Sequence, residues 1–250
     1  MIIALGFSSL QASTDVNASK KVQEKQVQKE KVTHQENLNK WEKILETDLK
    51  NNKTENNMTI AVDYNAVGYF YNKTDQTEKA LEHYLKAVKI AEDQTKPYSK
   101  RKTAYYNNTA TAYEKLEKLP EALQYYKKAL DIYKDKIPAD HPYIATTSAD
   151  IGNIYEKMGK NDKALEYNLE ALNIRKKSLR PLTHSDTIYS YQKVIILYEK
   201  TKKYQEALNY GQKLIDLLGT NDKENRKDMQ SKLDELQKKI DAKKTDKTKK

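Results

Sequence analysis

Apolar residues recur along the chain in a helical rhythm that is itself repeated four times. An Ala-Leu pair leads, seven residues after its Ala, to Ala or Leu followed by large aliphatic residues. The copies are Ala80-Leu81 with Ala87, Val88 and Ile90; Ala122-Leu123 with Ala129, Leu130 and Ile132; Ala164-Leu165 with Ala171, Leu172 and Ile174; and Ala207-Leu208 with Leu214, Ile215 and Leu217. They are spaced by 42, 42 and 43 residues. A fixed period of this size marks a solenoid, in which each unit buries an apolar face against its neighbours.

A second helical pattern precedes each pair and ends in Tyr71, Tyr113, Tyr155 or Tyr198, nine residues before the Ala. Gly68, Ala110 and Gly152 stand three residues before the first three of these Tyr. Two helices approach closely only where their contact side chains are small. Gly68, Ala110 and Gly152 facing Ala80, Ala122 and Ala164 are therefore read as the seam of each repeat, with Tyr and Leu filling its flanks. The fourth copy keeps Ala207 but places Ile195 at the small position, Leu214 for Ala, and Gly211 where Tyr84 and Tyr126 stand. Bulk has moved rather than vanished, and terminal repeats are often atypical, so local repacking is expected.

These patterns predict helix pairs over 58–73 and 76–93, 97–117 and 120–136, 141–158 and 162–179, and 185–200 and 203–218, with Pro97, Pro120 and Pro142 at helix starts. Leu38, Trp41, Leu45 and Leu49 fall on one stripe with Ile44 beside it, predicting an N-terminal capping helix and link over 35–57. Trp41 is read as core rather than as a ligand platform. Residues 14–34 are polar and read as a solvated helix or spacer, because Val22, Val27 and Val32 recur every five residues and fit no helix face. Met229, Leu233, Leu236 and Ile240 form one stripe on an otherwise charged segment, predicting a capping helix over 222–242 before a basic tail at 243–250.

The repeat resembles the tetratricopeptide repeat, and its length, beyond the usual 34 residues, resembles the kinesin light chain variety. Asp140-His141-Pro142-Tyr143-Ile144-Ala145 is similar to that family's Asp-His-Pro helix start, and Asn107-Asn108 to the paired Asn of its first helix. Asp140 is the expected N-cap, with Pro142 in the first turn. The resemblance spans about 59–219. It implies an all-α, right-handed superhelical α-solenoid of about four helix-turn-helix repeats with flanking capping helices, and binding of a protein or peptide in a concave groove.

By the same resemblance the groove is lined by Asn65, Tyr69 and Asn72; by Asn107, Asn108, Thr111 and Lys115; by Thr146, Asp150, Asn153 and Lys157; and by Gln192, Lys193 and Ile196. A carboxamide accepts from a peptide N–H and donates to its C=O, so a row of them can hold an extended backbone. The other reading is a merely polar, wet face. Lys115, Lys157 and Lys193 do not complete the basic set of the family's clamp for chaperone tails, so that specificity is not carried over.

Composition adds limits. Six glycines, five prolines and 33% charged residues suit an all-helical chain of 250 residues, and 19 Tyr against two Phe favour rings with a bonded or wet hydroxyl. The net charge of +10 is concentrated near the ends, with +5 over 238–250 and +3 over 20–31. The repeats therefore carry no basic stripe, and nucleic-acid binding is not expected. The tail serves solubility or loose attraction to anionic partners. The absence of Cys excludes disulfides, Cys metal sites and thiol catalysis. His34, His83, His141 and His184 do not pair at metal-binding spacing, and no phosphate loop or nucleophile elbow occurs. No enzymatic activity, cofactor or metal is expected.

Residues 1–13 are apolar and uncharged and read as the end of an export signal cut near Ala12, or else as a mildly apolar terminus. An exported location, periplasmic or secreted, is expected over a cytoplasmic one, and no apolar stretch spans a bilayer. The function expected is a non-catalytic scaffold or adaptor for a protein or peptide segment. The alternatives are a self-associating structural element and a sensor of a small peptide signal.

Overall fold

A computed structural model describes residues 5–51, 58–93, 100–179, 185–219 and 222–248. Pro97, His184 and the links at 52–57 and 220–221 lie outside the described residues. So do residues 1–4 and the side chains of 5–22 and 244–248, which hold the 1–13 stretch and most of the basic tail. The regular structure among the described residues is helical. One compact unit contains α1 (Leu5–Asn51), α2 (Met58–Lys73) and α3 (Thr77–Glu92). A second contains α4 (Lys100–Lys115), α5 (Leu119–Lys136), α6 (Pro142–Lys157), α7 (Asn161–Ser178), α8 (Ser185–Lys200), α9 (Tyr204–Leu218) and α10 (Lys223–Thr248). Within each unit every helix packs on its neighbours in sequence, the arrangement of an all-α solenoid. No helix among the described residues is long and apolar enough to cross a membrane.

The turn inside each repeat has one design. Asp75, Glu117, Gly159 and Lys202 occupy equivalent positions and all have positive φ, between 56° and 73°. The amide one residue further on, in Gln76, Lys118, Lys160 and Lys203, donates at 2.9 Å to the carbonyl of Tyr71, Tyr113, Tyr155 and Tyr198 respectively. This is the left-handed helix stop that satisfies otherwise orphaned carbonyls. Only the third repeat uses Gly there. α6 begins differently from expectation: its N-cap is His141, not Asp140. The residue before a proline is held extended, and His141 has ψ 135°, so the helix starts at Pro142 and the His141 Nδ1 accepts from the Tyr143 amide at 3.1 Å.

In the first unit α1 is one continuous helix, so residues 14–34, read from the sequence as a solvated helix or spacer, are helical and run directly into the expected cap. No Pro or Gly interrupts residues 7–67, and side-chain bonds one turn apart, such as Gln35 to Asn39 and Lys50 to Glu46, support it. Leu38 and Leu45 are buried, Trp41 and Ile44 are half-buried, and Leu49 is exposed, so the apolar contact ends before the last turn. The Tyr71 hydroxyl donates to Glu42, which with burial pushes the phenol up to about 12. Asp63 is 3% exposed; burial and its bond to Asp48 of α1 hold its carboxyl up at about 6.

The seams differ in detail from the Gly-on-Ala contact expected. A Cβ on Gly68 would lie 2.8 Å from ring atoms of Tyr84 and 3.0 Å from the Ala80 carbonyl oxygen. A Cβ on Gly152 would lie 2.2 Å from Asn168 Nδ2 and 3.2 Å from the Ala164 oxygen. The glycines thus make room for the residue one turn beyond the Ala. In the fourth repeat the sizes are exchanged: buried Ile195 occupies the small position, and the space beside Gly211 is filled by Leu233 of α10, whose Cδ2 would be 2.3 Å from an added Cβ. The C-terminal cap is keyed into the last repeat there. Gly211→Leu is expected to destabilise the second unit by about 1–3 kcal/mol through overpacking, seen as a lower thermal midpoint, with Gly211→Ala milder because the end of Leu233 can move.

Ala80, Ala110, Ala122, Tyr155, Ala164 and Ala207 are buried, as are Gly68 and Gly152, whereas Tyr71, Tyr113 and Tyr198 are half-buried at the seam edge. Each of the four Tyr faces a ring of the following helix: Tyr71 and His83 at 5.2 Å, Tyr113 and Tyr125 at 5.6 Å, Tyr155 and Tyr167 at 5.6 Å, Tyr198 and Tyr210 at 5.3 Å between centroids. Such pairs add directional contact to burial and lock the two helices of a repeat in register.

Candidate functional site

Asn65, Tyr69 and Asn72 lie on α2 in the first unit. Both asparagines are half-buried and engaged with neighbours, while Tyr69 is exposed, edge-on to Phe70, with the Lys73 ammonium 5.4 Å from its ring centre. The other predicted residues lie on the first helices of the second unit. On α4, Asn107 Nδ2 donates to the Tyr133 hydroxyl at 3.4 Å, and the Thr111 hydroxyl lies 3.0 Å from the Asn107 carbonyl and 3.1 Å from the Tyr126 hydroxyl. Asn108 is half-buried and Lys115 exposed. On α6, Thr146 and Lys157 are exposed, and Asp150 and Asn153 are half-buried. On α8, Gln192 and Lys193 are half-buried and Ile196 is exposed.

These helices are tied by a column of ion pairs that sequence reasoning missed. A Glu follows the Tyr in each of repeats two to four: Glu114, Glu156 and Glu199. Each reaches the next helix of the column. Glu114 pairs with Lys157 at 3.1 Å, Glu156 with Lys193 and Lys200 at 2.6 Å each, and Glu199 with Lys232 at 2.7 Å and with Lys239 of α10. Burial pushes Glu156 and Glu199 up, but the lysine bonds outweigh it and leave both below the usual carboxylate range. Lys157 and Lys193, read from sequence as ligand contacts, are thus held by this column. The available signal was the recurring Tyr-Glu step itself.

Asp150 sits within this frame without an ion-pair partner among the described residues. Burial, then the neighbouring Glu114, raise its carboxyl from 3.8 to about 7, against an opposing pull from Arg175 of α7. Arg175 is 7% exposed and spends its Nη1 on the Ser190 hydroxyl at 2.5 Å and the Asp186 carbonyl at 3.4 Å. The Tyr126 hydroxyl is raised first by burial and then by Asp150, which places these two groups in each other's field. The side-chain oxygens of Asn107 and Asn153 are shielded from solvent and have no hydrogen-bond partner among the described residues. Buried acceptors are nearly always paired, and leaving one unpaired costs about 1–3 kcal/mol.

The arrangement is one of acceptors and hydroxyls rather than a nucleophile beside a base. No group of three or more His, Asp or Glu that could hold a metal occurs among the described residues. Clefts of about 370 and 410 Å³ lie elsewhere, one lined by Lys202, Tyr204, Ile240 and Lys243, the other by Ile215, Arg226 and Gln230 with nearby lysines.

Family models of the tetratricopeptide repeat match residues 59–135 and 144–180. No curated protein sequence gives a significant match. Among solved structures, the nearly identical TPR-like repeats assigned to a kinesin light chain of Podosopora anserina align with a TM-score of 0.67 at 18% identity, covering 80% of this chain and 96% of that one. BtubC (BKLC) from P. vanneervenii aligns with a TM-score of 0.63 at 16% identity, covering 86% and 84%. The apo form of RapI aligns with a TM-score of 0.60 at 23% identity, covering 72% and 63%. Residues 59–135 and 144–180 are thus tetratricopeptide repeats, and with its 42-residue period, paired helices and shared turn geometry the chain has the solenoid fold of the kinesin light chain repeats it aligns with.

Proposed function

We propose that the chain is a non-catalytic scaffold that holds a peptide or protein segment on the face formed by α4, α6 and α8. The observation that carries this reading is the set of polar side chains that these first helices leave partly or fully open to solvent, Asn108 on α4, Thr146 on α6 and Gln192 on α8. An extended backbone laid along that face would exchange hydrogen bonds with such amides and hydroxyls. Each such bond nets about 0.5–1.5 kcal/mol, so a few of them with side-chain pockets give an affinity on the order of micromolar. The ion-pair column supports the reading from another side, because it fixes the spacing between first helices and so presents a preorganised surface.

The test is a cross-linked pull-down from native cells with wild type beside Asn107→Ala/Asn108→Ala/Asn153→Ala, each checked for native circular dichroism. A partner caught by wild type and lost by the variant supports the face. The same partner on both would move the site off these helices. Self-association is favoured by one further feature: residues 23–33 of α1 are all exposed, Val27 and Val32 among them. Light scattering that stays monomeric at high concentration would dispose of that reading.

A further inference from the structure

We propose that the C-terminal cap carries a second binding site, a basic cleft between α10 and the start of α9 that takes an acidic segment of a partner protein with an apolar side chain among its acids. The site is separate from the α4, α6 and α8 face and does not rest on the reading of that face.

The cleft follows from how the cap is seated. Arg226 bonds the Ile215 carbonyl, Leu233 lies against Gly211, and Lys243 lies over the Tyr204 ring, so α10 runs antiparallel to α9. With 26 residues against 15, α10 runs on past the first turn of α9. The overhang leaves an open cleft of about 370 Å³ lined by Lys202, Lys203, Tyr204, Glu206, Ile240 and Lys243. Its charge is one-sided, three lysines against one carboxylate. Its apolar surface comes from buried Ile240 and the half-buried Tyr204 ring, whose centre is 5.9 Å from Lys243 Nζ.

The lysines are available to a ligand. Lys202 and Lys243 are exposed and make no ion pair among the described residues. Lys203 pairs with Asp162 at 3.1 Å, but both are exposed, and such a pair contributes little and exchanges readily. Lys232 and Lys239, by contrast, are taken by Glu199 of α8. The turn residues agree with this. The left-handed position is Asp75, Glu117 and Gly159 in the first three repeats and Lys202 in the last. Asp and Gly adopt positive φ more readily than Lys, so turn geometry does not select Lys there. The next two residues are Gln76-Thr77, Lys118-Leu119 and Lys160-Asn161, then Lys203-Tyr204. The turn that borders the cap is the one that combines two lysines with a ring.

Carboxylates of a bound segment would meet the ammonium groups while the apolar neighbour fills the space beside Tyr204 and Ile240, the usual division between a charged rim and an inserted anchor. A flat anionic membrane would reach the lysines and leave the concave apolar part empty, so the shape favours a segment.

The test measures fluorescence anisotropy of labelled, amidated decapeptides of Gly and Ser carrying one Leu flanked by three Glu, three Gln or three Lys, with the full chain at about 0.1 M salt. The Glu peptide is expected to bind at least about tenfold tighter than the Gln peptide, with Lys weaker still, and to weaken several-fold when its Leu becomes Ser. Lys202→Gln/Lys243→Gln changes two exposed residues, so circular dichroism should stay native while the Glu preference falls to within about twofold. Lys244→Gln/Lys247→Gln/Lys249→Gln/Lys250→Gln, which neutralises the tail beyond the cleft, is expected to keep the preference. No binding, equal binding of Glu and Gln peptides, or a Glu preference untouched by the cleft variant overturns the proposal. So does a preference lost in the tail variant, or one indifferent to the Leu. Phosphatidylserine vesicles that bind through Lys202 and Lys243 while Glu and Gln peptides bind alike would assign the cleft to a membrane surface instead.

Discussion

Gly152→Leu is expected to lower the stability of the second unit by about 3 kcal/mol, one of the largest single-site losses available in this chain. Even the first atom of the new side chain has nowhere to go. It would fall 2.2 Å from Asn168 Nδ2 and 3.1 Å from its Cγ. Asn168 is 2% exposed and donates to the Ala164 carbonyl at 2.8 Å, so moving it aside breaks a buried hydrogen bond. Behind it stands the Ala164 oxygen itself, 3.2 Å from the new Cβ, and backbone cannot step back as a side-chain end can. The fourth repeat indicates the repair, since it pairs Ile195 with Gly211 at the same two positions. Gly152→Ile combined with Asn168→Gly should recover a substantial part of what Gly152→Ile alone loses, a coupling expected only between residues in contact. Urea unfolding of wild type, the two single variants and the double variant measures it. An unchanged midpoint for Gly152→Leu would place the seam elsewhere, and strictly additive losses would show that the exchange of sizes is not transferable.

The seam also shows what was legible in the sequence. The period, the Ala-Leu phrase and the closing Tyr fix helix order and pairing, because a solenoid repeats one local solution and sequence repeats with it. Gly68 and Gly152 announce a close approach, but not which residue approaches. Spacing pointed to Ala80 and Ala164, whereas side chains on a helix lean toward its N-terminus, so the space is occupied by Tyr84 and Asn168, one turn on. The extent of α1 was obscured for a different reason. Its exposed residues 23–33 have no buried face to impose a period, so nothing in the pattern separates a solvated helix from a spacer. The polar face of α4, α6 and α8 was found by analogy of position, but its electrostatics were not. Glu114 with Lys157 and Glu156 with Lys193 are separated by 43 and 37 residues, and only the stacking of first helices makes them neighbours. Without that stacking Lys157, Lys193 and Asp150 read alike, as residues lining a groove.

Asp150→Asn is expected to make the second unit more stable above pH 7 and to leave it nearly unchanged near pH 4. In the folded chain burial and Glu114 raise the Asp150 carboxyl from 3.8 to about 7. Between those two values the folded state keeps a proton that the unfolded state has released. Stability therefore falls as pH rises through this window, and above about 7 the full penalty is present. The groups facing Asp150 from the helices around it are Glu114 of α4, Tyr126 of α5 and Arg175 of α7; Arg175 opposes the shift but does not cancel it. Because Asp150 is half-buried rather than sealed, the difference between wild type and variant should reach roughly 2–4 kcal/mol at pH 8. The comparison has to be made between the two proteins rather than along one curve, since Asp63 in the first unit, raised to about 6 by burial and Asp48, adds a slope of the same sign in both. Denaturant unfolding of the second unit at pH 4, 6 and 8 decides the matter, and parallel curves would show that Asp150 titrates as an ordinary acid.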